Sequence, residues 1–183
     1  MAMNSNLPTK SSSNAPRFTA KDIAVMAMML AIVEAAKRLL DSVPNVEMVT
    51  LLFVVFALTY GLRTLIVAVA FIAVEICYWG VHVWVIMYLY VWPLLILIAY
   101  KMGREHPPWA YAILTGFYGL FFGMLCSPVY LFMGGFNTAF SWWVAGIPYD
   151  ILHGISNFIL CIALFKPLMF AADKAFSFIR NAR

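Results

Sequence analysis

The stretch "VEMVTLLFVVFALTYGLRTLIVAVAFIAVEICYWG" (Val46–Gly80) decides the fold. It is apolar on both sides of a short break, Tyr60-Gly61-Leu62-Arg63, and its charged residues are Glu47, Arg63 and Glu75. The apolar runs are continuous rather than alternating with period two, which excludes a closed membrane barrel. They read as two short membrane helices, roughly 46–61 and 64–80, joined by a tight turn.

The rest of the chain extends this pattern. Of its 183 residues 64% are hydrophobic and 11% charged, with a mean hydropathy of +0.90. A soluble domain is nearer 25% charged. The expectation is an all-α integral membrane protein of six helices, near 20–40, 46–61, 64–80, 83–101, 109–133 and 143–166. The linker at Gly134-Gly135-Phe136-Asn137 suggests a re-entrant or interfacial piece. Residues 1–18 are polar and read as a disordered cytoplasmic tail; 19–168 form the membrane domain; 169–183 form a basic cytoplasmic segment. With the N-terminus inside, Lys10, Arg17, Lys21, Arg63, Lys101, Arg104, Lys166, Lys174, Arg180 and Arg183 lie on the inner side, against Lys37 and Arg38 outside. That bias places both termini in the cytoplasm. The pI near 9.0 comes from loops and tails and calls for no nucleic-acid partner.

Ala20, Ala24, Ala27, Ala31 and Ala35 fall within a stripe about 80° wide at 100° per residue. Such a stripe lets another helix approach closely, either within the bundle or from a partner subunit. Glu34 and Arg38 follow, four residues apart in the favourable order for an ion pair. Glu47 suits the first turn of a helix as a dipole partner. Between Val74 and Leu95 stand Glu75, Trp79, His82, Trp84, Tyr88 and Trp92. The last three recur every fourth residue and reach about 12 Å along the helix, deeper than an interfacial belt requires. Further on, Asn137, Trp143 and Tyr149 lead to Asp150, His153 and Asn157, which share one helical stripe with Gly146. Polar and aromatic groups thus gather at the outer ends of helices two to six. This describes a pocket open to the outside, with apolar walls and a few fixed polar groups.

Other chemistries leave no pattern. His82 and His153 lack a close-spaced partner ligand, so no metal site is read. There is no phosphate-binding loop and no cofactor motif. Asp150 and His153 could act as a general base, but no nucleophile accompanies them, and no enzyme is expected. Cys77, Cys126 and Cys161 read as small packing residues.

"PNVEMVTLLFVVFALTYG", "MYLYVWPLL" and "GIPYDILHGISNFILCIALFKPL", with the six apolar segments and the alanine stripe, resemble the substrate-binding membrane subunits (S components) of energy-coupling factor transporters. These are prokaryotic vitamin-uptake systems of the ABC class, and the resemblance covers residues 20–168. It implies a multi-pass protein of the prokaryotic cell membrane that binds one micronutrient from outside. Its partners would be a transmembrane coupling protein and two ATP-binding subunits, besides membrane lipid. The family's Ala-x-x-x-Ala docking motif matches Ala20 and Ala24, or Ala27 and Ala31. The absence of an early His argues against a metal-ion substrate. Asp150, His153 and Asn157 would then hold a polar edge of the ligand while Trp84, Tyr88 and Trp92 stack on its ring, which favours a planar heteroaromatic compound. An autonomous secondary transporter or channel would need a polar path through the inner half, usually with an inverted repeat. A ligand-free scaffold would leave the aromatic cluster without a task.

Overall fold

The computed structural model describes residues 18–180, the side chains of 178–180 aside. The tail 1–18 lies, but for Phe18, outside the described residues. The described residues are helical, with turns and no strand: α1 (Ala20–Leu40), α2 (Val49–Tyr60), α3 (Thr64–Trp79), α4 (Val83–Met102), α5 (Pro108–Leu120), α6 (Phe122–Cys126) and α7 (Pro128–Arg180). Three stretches are long and apolar enough to cross a membrane: Val49–Trp79, Val83–Met102 and Pro128–Ser177.

The first stretch folds back on itself. Gly61 has φ +69, a conformation that costs glycine little, and a 3₁₀ turn (Gly61–Arg63) follows. Side-chain bonds fix the directions of the helices. Asp22, near the start of α1, bonds Tyr60 and Arg63, whereas Lys37 and Arg38, near its end, bond Glu75. Helices α1 and α3 therefore run the same way, with α2 between them in sequence and opposite in direction. The start of α1 is closed by a capping box in which Thr19 and Asp22 exchange hydrogen bonds.

Helix α4 returns to the Asp22 end, where the Tyr100 ring lies 3.6 Å from where a side chain on Gly61 would begin. α5, α6 and the first residues of α7 then form one arm bent at Phe121 and Ser127. The arm turns at Gly134–Gly135, Gly135 having φ +78, and helix resumes at Phe136. The two arms meet backbone to backbone. A methyl on Gly119 would lie 2.9 Å from the His153 carbonyl, and one on Gly154 2.9 Å from the Gly116 carbonyl. Glycine at these crossings is what lets α5 and α7 approach so closely. Far down α7, Phe176 stacks on Tyr60 at 5.4 Å and Asp173 pairs with Arg104.

After the turn at Gly134–Gly135, residues 136–180 form helix across both Pro148 and Pro167, so the expected sixth helix, 143–166, extends at both ends. Residues 169–180 continue α7. Cys77 is exposed, while Cys126 and Cys161 are buried. The alanine stripe finds its side as well. Asp22, Val25, Met29 and Val33 face the core, and all five alanines lie on the opposite, exposed face. The outer surface is apolar elsewhere too, for example at Val69, Leu89, Phe117, Ile155 and Ile159.

Candidate functional site

Opposite the Asp22 end, the C-terminal turns of α1 and α3 meet the first turns of α4. Glu75 is fully buried and neutralised twice, by Arg38 at 2.6 Å and by Lys37. A buried carboxylate tolerates its desolvation only with such partners. Arg38 also pairs with Glu34 at 3.3 Å and lies 3.7 Å from Asp41. The Lys37 ammonium stands 5.1 Å from the Trp84 ring centre and 5.4 Å from those of Phe71 and Tyr88, within reach of cation–π attraction. Arg38 covers Tyr78 at 4.1 Å and Trp79 at 5.6 Å, and His82 stacks on Trp84.

The loop between α1 and α2 adds a second group. Glu47 accepts the Thr50 amide at 2.9 Å, closing the start of α2, and lies 3.1 Å from His153 Nε2. Asn45 holds φ +57, a conformation asparagine tolerates better than most residues, and its carbonyl accepts the Ser156 hydroxyl at 3.0 Å. The His153 ring meets the Phe122 ring edge-on at 5.0 Å.

Asp150 supplies a third. It is 7% exposed, and its Oδ1 accepts the Gly123 amide at 3.0 Å. Its Oδ2 has no partner among the described residues. Gly123 is required here, because a side chain at that position would fall on the carboxylate.

These groups wall three neighbouring cavities that share Tyr88. One of about 180 Å³ is lined by Lys37, Asp41, Asn45, Glu47, Phe71, Trp92, Phe122 and His153 among others. A second, of about 280 Å³, lies between Lys37, Asp41, Trp79 and Trp84. The largest, about 400 Å³, is walled by Trp84, Phe122, Trp142, Tyr149 and Asp150, with Asn45, Met87, Gly123, Cys126, Ala145 and Gly146. A polar rim around aromatic walls of this size suits a small organic molecule.

Of the residues expected at a site, Glu47, Trp79, Trp84, Tyr88, Trp92, Tyr149, Asp150 and His153 line these cavities. Glu75 stands behind Lys37, and His82 stacks at the edge of Trp84. Three residues fall elsewhere. Asn137 sits beside the turn of the long hairpin, about 20 Å from Asp150 at 1.5 Å per residue. Trp143 packs on Phe140 at 6.1 Å, and its neighbour Trp142 is the cavity wall, stacked on Tyr130 at 4.5 Å. Asn157 is buried, with Thr115 donating to its carbonyl at 3.3 Å, and its side-chain amide has no partner among the described residues. Lys37, Asn45, Phe122 and Trp142 were not foreseen as site residues. Lys37 carried a signal, being with Arg38 one of two cations at its end of the bundle. Among the described residues no group of three or more His, Cys, Asp or Glu could hold a metal ion. No protein family, curated protein or solved structure matches the chain, so the site is read from its own residues.

Proposed function

We propose that the chain is the substrate-binding membrane subunit of an uptake system of the energy-coupling factor type. In this proposal it crosses the prokaryotic cell membrane six times with both termini inside, α2 and α3 counting as two short spans. The Tyr88 cavities face outward and take up a vitamin or related micronutrient. A coupling protein and two ATP-binding subunits supply the energy.

The observation that carries the proposal is the meeting of three polar and aromatic cavities at one end of a bundle whose other half is packed with apolar side chains. Toward the Asp22 end, Val55, Val67, Ala68, Leu95, Ile96 and Ala99 are each at most 1% exposed. A binding subunit needs a closed pocket, whereas an autonomous channel needs a polar path. The exposed alanines of α1 support a docking face, since they do not serve packing inside the bundle.

Native mass spectrometry of the purified full chain tests this. A single small molecule should co-purify, and the double variant Asp150→Ala, His153→Ala should lose it. Ala24→Trp with Ala27→Trp should keep the ligand and abolish ATP-driven uptake. A chain that binds nothing, or uptake that survives both tryptophans, overturns the proposal.

A further inference from the structure

We infer, resting on the uptake proposal, that the ligand is a planar cation carrying N–H groups, such as an amidinium, a guanidinium or a protonated nitrogen heterocycle. Its N–H meets Asp150 Oδ2 and its face lies against Trp84 and Tyr88.

The largest cavity sets the chemistry. Asp150 is its one charged wall residue, and one of its two carboxylate oxygens is bonded to Gly123 while the other has no partner among the described residues. An ionised carboxylate can only accept hydrogen bonds, so the missing partner is a donor. The remaining wall is rich in rings: Trp84, Tyr88, Phe122, Trp142 and Tyr149. Ring faces are electronegative and attract cations, and an aromatic enclosure closed by a carboxylate is complementary to a flat positive group.

The surroundings point the same way. Lys37 and Arg38 are already engaged by Glu75, and Arg38 also by Glu34. Asp41 and Glu47 line the adjoining cavity. Five carboxylates, those of Glu34, Asp41, Glu47, Glu75 and Asp150, therefore stand near the site with two cations, His153 aside. An anionic ligand in the largest cavity would face the free Asp150 oxygen with no cation in the wall. A neutral aromatic ligand without an N–H or O–H donor would leave that oxygen unpaired, and one with a donor would leave the carboxylate's charge uncompensated. Buried polar groups discriminate strongly against ligands that fail to satisfy them.

The near-isosteric probes benzamidinium, benzamide and benzoate share a phenyl ring and differ in charge and in the N–H donors they offer. Each is titrated at pH 7 into the detergent-purified full chain, freed of co-purified ligand, with quenching of intrinsic tryptophan fluorescence as readout. Benzamidinium should bind at least about tenfold more tightly than either of the others. Asp150→Asn, which keeps the acceptor for Gly123, should abolish that preference and leave benzamide unchanged. Trp84→Leu, which leaves the carboxylate intact, should weaken benzamidinium roughly three- to tenfold. Matching size-exclusion profiles and helical circular dichroism establish that both variants are folded. Equal binding of the three probes, tighter binding of benzoate, a preference that survives Asp150→Asn, or no quenching by any probe overturns the inference. The uptake proposal stands or falls separately, on the co-purified molecule and on transport.

Discussion

Asp22 and Asp150 are both aspartates buried in a helical bundle, at 0% and 7% exposure, and their surroundings differ in one respect. Asp22 receives the Thr19 amide at 2.9 Å and hydroxyl at 2.8 Å, the Tyr60 hydroxyl at 3.0 Å and the Arg63 guanidinium at 2.6 Å. Both of its oxygens are satisfied by the chain itself: the two Thr19 contacts cap α1, and those of Tyr60 and Arg63 tie α1 to the α2–α3 turn. Asp150 receives one amide, and its second oxygen borders a cavity of about 400 Å³. A saturated buried carboxylate holds helices together. An unsaturated one keeps its desolvation cost until something else supplies a donor. The difference separates a lock from the proposed binding group within one fold.

The largest effect expected from this comparison is on stability at the lock. Asp22→Ala removes the capping box and leaves Arg63 without its carboxylate. Losing the helix cap together with the ion pair of a buried carboxylate should cost about 3 kcal/mol, measured by denaturant titration of the detergent-solubilised chain. Asp22→Asn, which retains an acceptor for Thr19, should lose less. A loss below about 1 kcal/mol for the alanine variant would mean that the four contacts do not hold α1 in place.

The second effect lies in the packing that positions the Asp150 region. Gly119→Ala pushes a methyl against the His153 carbonyl and the Gly154 amide. Overpacking of this kind costs about 1–3 kcal/mol, and it should also weaken ligand binding, because the displaced segment of α7 carries Asp150 and His153. Cys126→Ala, which borders the same cavity without separating the two helices, serves as a control and should leave their spacing unchanged.

Much of the frame was legible in the residues. The limits of α1 and the turn at Gly61 follow from apolar run length and glycine punctuation, which are local. The polar stripe of Asp150 and His153 was visible because helical periodicity is local as well. What escaped depends on partners distant along the chain. Glu47 meets His153 across 106 residues. Its role at the start of α2 was readable, although it stands just before the helix rather than in the first turn and reaches the Thr50 amide from there; its pairing with a ring on α7 was not readable. Lys37 entered only as a charge for orientation, because its contact with Glu75 depends on how α1 and α3 align. Periodicity placed five alanines on one stripe without saying which side faced out; the burial of Val25, Met29 and Val33 decides it. The length of α7 was missed for another reason. The expected helix 143–166 already crosses Pro148; it starts well after the Gly134–Gly135 turn, however, and stops at Pro167, an ordinary breaker that α7 runs through.

A smaller effect tests the bond that joins the loop to α7. His153→Ala removes the 3.1 Å contact to Glu47 and should cost about 1–1.5 kcal/mol, with Glu47→Gln costing less because Thr50 keeps its acceptor. If the two variants combined cost the sum of the two singles, Glu47 and His153 are independent and the cavity they both line is not braced by their contact.

The smallest stability effect belongs to Asp150 and divides the two aspartates most sharply. In Asp150→Asn the amide oxygen still accepts from Gly123, and a buried charged oxygen without a partner is replaced by a neutral nitrogen. That exchange removes a desolvation cost and breaks no bond within the chain. Without ligand, stability should therefore stay within about 0.5 kcal/mol of the parent or rise, in contrast to the loss at Asp22. With ligand present, the parent should gain stability as RT ln(1 + [L]/Kd), and the variant should gain little. If the ligand-free variant instead loses as much as Asp22→Ala, Oδ2 is holding the bundle together, and the division between lock and binding group collapses.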